Sequence, residues 1–137
     1  MLEITERTYV VYESLFREVL ARFREQNFGI AVDDVGTGYS SLSSLAEIEP
    51  DYLKIDNVFV RDIDRRKNKQ NLLEALVSFA RKMKTRVIAE GIETPAELRA
   101  IQSLGVEFGQ GFLMARPMAI ESISNFEQVS LSHPAGG

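Results

Sequence analysis

The chain has 137 residues, no cysteine, 16 basic and 20 acidic side chains, and a formal net charge of −4. That length fits one domain, and 45% apolar with 26% charged residues is an ordinary globular composition with enough apolar material for a core. Disulfides, thiolate zinc sites and cysteine nucleophiles are excluded, the apolar runs are too short to span a bilayer, and the acidic balance argues against nonspecific nucleic-acid binding. Met1-Leu2-Glu3-Ile4 does not open a signal segment. The expectation is a cytoplasmic chain, alone or within a larger membrane-anchored or sensory protein, with no membrane contact of its own and no DNA or RNA partner.

In chain order, Leu2–Ile4 reads as the end of a strand. A helix follows over roughly residues 9–26, because Val11, Leu15, Phe16, Val19, Leu20 and Phe23 form one stripe at helical spacing. Asn27-Phe28-Gly29 breaks it. Gly29–Asp34 reads as a buried strand ending in two carboxylates, Gly36–Ser41 as a loop, and Ser40 or Ser41 as the cap of a short helix through Ala46. Tyr52–Asp56 is the next strand, Val58–Ile63 the start of a helix, and Asp62–Lys69 a solvated charged loop. The strongest helical periodicity covers residues 70–83, and Arg86–Glu90 is a fourth strand. Thr94-Pro95-Ala96-Glu97 combines an N-cap, a proline at the first helical position and a capping box. That helix ends at Leu104 with Gly105 as its left-handed cap. Val106–Phe108 is the last strand, Ala119–Phe126 a short closing helix, and residues 129–137 a disordered tail holding the lone His133. Alternating strands and helices point to an α/β fold with a parallel sheet.

Ionisable residues gather at the ends of these strands: Glu3, Asp33 and Asp34, Lys54 and Asp56, and Glu90. The C-terminal ends of parallel strands are where such folds place their chemistry. Carboxylates crowded there need a cation among them, and hard oxygen donors without His or Cys suit Mg²⁺, Mn²⁺ or Ca²⁺ rather than zinc. Adjacent Asp33 and Asp34 are spaced to serve two metal ions, and Lys54 to orient or deprotonate a water or to neutralise a phosphate oxygen. The alternative is a salt-bridged cluster in which Lys54 pairs the carboxylates. Gly36-x-Gly38-x-x-Ser41 imitates a dinucleotide loop but lacks the third glycine and follows two aspartates, so a flexible loop is the better reading.

Ile30–Leu42 resembles the "DDFGTGYSSL" segment of EAL domains, the bacterial phosphodiesterases of cyclic di-GMP. Leu53-Lys54-Ile55-Asp56 resembles that family's "LKID", Val87–Thr94 its "VVAEGVET", Gly109–Leu113 with Arg116-Pro117 its "QGYLFSRP", and Glu3–Glu6 its "ELTE". The resemblance implies a TIM-like (β/α)₈ barrel that opens cyclic di-GMP to linear pGpG with two Mg²⁺ or Mn²⁺ ions. It implies Glu3, Asp33, Asp34 and Glu90 as metal ligands, with Lys54, Asp33 and Glu90 as the catalytic set. Glu6, Asp56 and Glu93 would support them from behind, and Gln110, Arg116 and Pro117 would meet substrate.

Such a barrel needs about 200 residues or more, whereas this sequence supplies about five strands, a partial EAL domain over residues 1–128. The family's N-terminal strands, its signature glutamate, a phosphate-gripping arginine and an asparagine ligand have no counterpart here. Glu74-Ala75-Leu76 spells the family name by coincidence, on the outer side of the 70–83 helix. The chain is then a fragment of a longer enzyme or a natural truncation: the C-terminal part of a cyclic di-GMP phosphodiesterase, expected to be inactive alone, or, as the alternative, a catalytically inactive partial domain serving as a binding or dimerisation module. Self-association or pairing with the upstream segment is expected, driven by open sheet edges and by Val32, Ile55 and Ile88, which would point into a closed barrel.

Overall fold

The structure, a computed structural model, describes residues 1–5, 13–35 and 42–116. Five strands, β1 (Leu2–Thr5), β2 (Ile30–Val35), β3 (Tyr52–Ile55), β4 (Arg86–Ala89) and β5 (Phe108–Gly109), form one all-parallel sheet in the order β1-β2-β3-β4-β5. The helices are α1 (Glu13–Glu25), α2 (Leu42–Ile48), α3 (Asn57–Val60), α4 (Lys67–Lys82) and α5 (Pro95–Ser103). Each new strand joins the growing edge and the order never reverses. A doubly wound sheet reverses at a switch point; an unreversed order is the progression of a barrel wall.

Strand side chains alternate between faces, and the parallel register carries that alternation across the sheet. One face presents Ile4, Ile30, Val32, Leu53, Ile55, Val87 and Ala89, all buried with Leu20, Leu45, Ile48, Leu73, Val77 and Ile101 in one core. The other face carries Glu3, Ala31, Asp33, Tyr52, Lys54, Arg86, Ile88 and Phe108. This corrects one expectation. Val32 and Ile55 lie on the helix-covered face, fully buried, because they alternate with Asp33 and Lys54. The half-open inner face is instead Tyr52, Arg86, Ile88 and Phe108, with the Arg86 guanidinium 5.9 Å from the centroids of both the Tyr52 and Phe108 rings.

The charged run after β3 is also less solvated than expected. Ile63 is fully buried, the Gln70 amide donates to the Ile63 carbonyl at 2.8 Å, and α4 begins at Lys67 within that run. Glu74 is exposed, as its place on α4 dictates. The two-residue β5 starts later than the sequence suggests, at Phe108. The Ser40/Ser41 cap, the closing helix and the tail lie outside the described residues. Among the described residues no helix is long and apolar enough to cross a membrane.

At the start of α5 the Thr94 hydroxyl accepts the Glu97 N–H at 3.2 Å while the Glu97 carboxylate accepts the Thr94 N–H at 3.0 Å, with Pro95 in the first turn. Thr94→Ala is expected to lower unfolding stability by about 1 kcal/mol in denaturant titration. A change below a few tenths would mean the cap contributes nothing.

Candidate active site

Lys54 occupies the penultimate position of β3 on the inner face, and its ammonium is the centre of the site. It lies 2.9 Å from Glu90 Oε1, 3.0 Å from Asp33 Oδ2 and 3.1 Å from Glu3 Oε2. Carboxylates from β1, from β2 and from the residue just after β4 thus meet one nitrogen on β3. The lysine side chain is 9% exposed, against 19%, 22% and 46% for Glu90, Asp33 and Glu3. Burial alone would drive the proton off, but hydrogen bonds to Glu90, Asp33 and Glu3 and the Glu90 charge outweigh it and hold the lysine well above its ordinary value. In this arrangement the Lys54 ammonium is a hydrogen-bond donor to three carboxylates.

The Asp33-Asp34 pair depends on a backbone irregularity. Val32 pairs with Leu53 and Val35 with Ile55, so β2 holds one residue more than β3 over this stretch. That is a bulge. Regular alternation would send Asp34 into the helix-covered core. With the bulge and a left-handed Asp34 (φ 57°), that side chain stays exposed, and its N–H donates to Asp33 Oδ1 at 2.9 Å. Asp tolerates this conformation better than most residues.

The other expected residues flank the cluster. Gln110, directly after β5, donates to Glu90 Oε1 at 2.6 Å and so fixes the carboxylate that also holds Lys54. Asp56 caps α3 by accepting the Val58 N–H at 2.7 Å. Glu93 faces Arg61 at 3.6 Å on the surface. The Arg116 guanidinium lies 5.3 Å from the Phe112 ring centroid. Asp56, Glu90, Glu93, Gln110 and Arg116 together line an open pocket of about 510 Å³, whose walls also include Asn57, Gly91, Gly111 and Phe112. Such a volume suits a ligand of drug size. Glu6 and Pro117 lie outside the described residues.

Asn57 and Phe112 carry no chemical signature in the sequence, and only the fold brings them here. Two glycines let the walls approach. A Cβ on Gly91 (φ +70°) would sit 2.5 Å from Asn57 Cβ, and one on Gly111 2.2 Å from the Ile92 carbonyl oxygen.

Among the described residues no group of three or more acidic or histidine side chains closes on a metal-sized point. Glu3, Asp33 and Glu90 close on the Lys54 ammonium, which is the salt-bridged arrangement. The donor set still fits a hard cation. It is all oxygen, and three carboxylates against one ammonium leave negative charge in excess before exposed Asp34 is added.

The EAL domain family matches residues 1–117. The cyclic di-GMP phosphodiesterase PdeR of Escherichia coli is 40% identical over 117 residues, covering 85% of this chain and 18% of PdeR. The bifunctional diguanylate cyclase/cyclic di-GMP phosphodiesterase MucR of Pseudomonas aeruginosa is 34% identical, over 90% of this chain and 18% of its own length. Among solved structures, Klebsiella pneumoniae BlrP1 in its manganese/cy-diGMP complex superposes with a TM-score of 0.80 at 39% identity, covering 84% of this chain and 29% of BlrP1. The chain therefore spans about a fifth of the curated relatives it matches and under a third of that structure. On the match over residues 1–117 and the parallel arc that superposes on a BlrP1 chain, this protein belongs to the EAL domain family and forms part of its TIM-like barrel.

Proposed function

We propose that this chain supplies one wall of a divalent-metal-dependent phosphodiesterase site that hydrolyses cyclic di-GMP to linear pGpG. The observation that carries the reading is the convergence of Glu3, Asp33 and Glu90 on Lys54 at the C-terminal ends of β1 to β4, beside a pocket of suitable size. Glu3, Asp33, Asp34 and Glu90 would hold two Mg²⁺ or Mn²⁺ ions. When bound, such ions lower the pKa of a coordinated water and neutralise charge on the attacked phosphodiester.

The chain's own residues do the rest. Lys54, fixed as a cation, orients the three carboxylates and offers its N–H donors to a water or phosphate oxygen. Gln110 keeps Glu90 from rotating away. Arg116 is the cation lining the pocket, where Asp56, Glu90 and Glu93 would otherwise repel a dianionic dinucleotide. Asp56 and Glu93 support the loops behind the ligands; by the family resemblance Glu6 would join them and Pro117 would meet substrate, both outside the described residues.

A second reading, an inactive partial domain acting as a binding or dimerisation module, draws on the sheet. Among the described residues β1 pairs with β2 and β5 with β4, and each stands at an end of the described sheet. Phe108 on β5 is 43% exposed. End strands beside a half-open inner face would favour association with a second copy or with the strands that complete the family barrel.

Mn²⁺ titration of the isolated chain should show binding that weakens about tenfold or more in Asp33→Asn, since even outer partners of metal ligands commonly matter that much. Equal affinity in the two proteins would remove Asp33 from the ligand set. Alone, the chain should release no linear product at a useful rate and should scatter light as a dimer or larger. Grafted in place of the matching segment of PdeR, it should restore hydrolysis, and Lys54→Met in the graft should lower turnover on the order of 100- to 1000-fold. A folded but inactive graft would end the enzymatic reading and leave the binding module.

A further inference from the structure

We propose that Glu97 is a positioning residue for the site: its buried carboxylate pins the end of the α3 segment, which follows β3, to the loop after β4, and so helps set Glu90 against Lys54. A capping-box glutamate needs to reach only its own N-cap. Glu97 reaches further. One oxygen accepts the Glu93 N–H at 3.1 Å and the Thr94 N–H at 3.0 Å. The other accepts the N–H of Asp62, 35 residues earlier in the chain, at 3.0 Å. Glu97 is 5% exposed, and Asp62 takes a left-handed backbone (φ 58°) at that contact.

These two segments form part of the pocket wall, and the segment after β5 forms the rest. The first contributes Asp56 and Asn57, the second Glu90, Gly91 and Glu93. They meet along one seam, where Asn57 packs on Gly91 and Arg61 faces Glu93 at 3.6 Å. The Glu90 N–H donates to the Ile55 carbonyl at 3.0 Å and ties the strand ends together at the start of the seam; farther along it, the Gly91 contact sets how closely the walls approach, and the exposed ion pair is a weak link. The Glu97 carboxylate is the buried polar group across the seam, and nothing apolar could satisfy three N–H donors from two loops. Burial disfavours its charge, yet hydrogen bonds from Asp62, Glu93 and Thr94 outweigh that and hold the carboxyl below its ordinary value.

An amide separates capping from bridging. Glutamine keeps one acceptor oxygen for the Glu93 and Thr94 side but turns an NH₂ toward Asp62, whereas alanine loses both. The inference builds on the active-site geometry but does not need metal or turnover for its test. In the ¹⁵N-labelled chain, the Lys54 ammonium resonance and the hydrogen-exchange protection of the Asp62 amide are compared in wild type, Glu97→Gln, Glu97→Ala and Thr85→Val. The last is a control that removes a buried hydroxyl donating to the Pro50 carbonyl, just before β4 at the far end of the sheet. Glu97→Ala should shift or broaden the Lys54 signal and lower Asp62 protection about tenfold or more. Glu97→Gln should fall between it and wild type, and Thr85→Val should leave both readouts unchanged even where it costs as much thermal stability. If Glu97→Ala does not fold, Glu97→Gln carries the comparison. A folded Glu97 variant with wild-type Lys54 signal and Asp62 protection, or the same changes in Thr85→Val, would overturn the proposal, whatever the metal titration shows.

Discussion

A single ammonium makes the acidic ends of three strands compatible. Glu3 on β1, Asp33 on β2 and Glu90 just after β4 converge around β3, and without a cation between them the sheet would carry three like charges within a few ångströms. Lys54 resolves that repulsion from inside the sheet, and its stem is buried while its head meets all three carboxylates. Desolvation of a lone lysine would be costly, and three charge-assisted hydrogen bonds are what sustain the proton there. The same constraint shapes chemistry. A lysine held so firmly as a cation serves as a positional anchor for anionic ligands, while the surplus negative charge at the strand ends is where a divalent ion adds to the arrangement.

The backbone around the cluster is fitted to close approach. Gly111 leaves room for the Ile92 backbone, whose N–H donates to the Gln110 carbonyl while its own carbonyl accepts from Leu113. Gln110 is thereby locked at the level of Glu90. At the opposite end of the strands, Asp51 accepts the Ile30 N–H at 2.7 Å and its backbone bonds to Ile30 and Arg86, tying β2, β3 and β4 before they reach the site. The bulge at Asp33 and Asp34 is the one break in this regularity, and it falls where two neighbouring carboxylates are needed.

Much of this was legible in the sequence because its causes are local. Period-two and helical patterning located the strands and helices, three agreeing signals located the start of α5, and charged residues at strand ends pointed to the cluster around Lys54. What escaped has causes distant in sequence. Ile63 lies buried within a charged run because Gln70 and α4 fold back over it. Glu97 reads as a cap, since nothing near it announces a contact with Asp62. Val32 and Ile55 were expected on the inner face, although alternation with Asp33 and Lys54 already placed them opposite. Asn57 and Phe112 reach the pocket only through tertiary packing.

The most direct test of the central constraint is a double-mutant cycle on Lys54 and Glu90, read by equilibrium unfolding in denaturant. Lys54→Met leaves three carboxylates facing one another and should cost roughly 3 kcal/mol, the lower range for breaking a buried pair. Adding Glu90→Gln removes one of the stranded charges, so the double variant should be more stable than Lys54→Met alone, by about 1 kcal/mol. Simple addition of the two single losses, with the double variant the least stable of all, would contradict the claim that Lys54 holds these strand ends together.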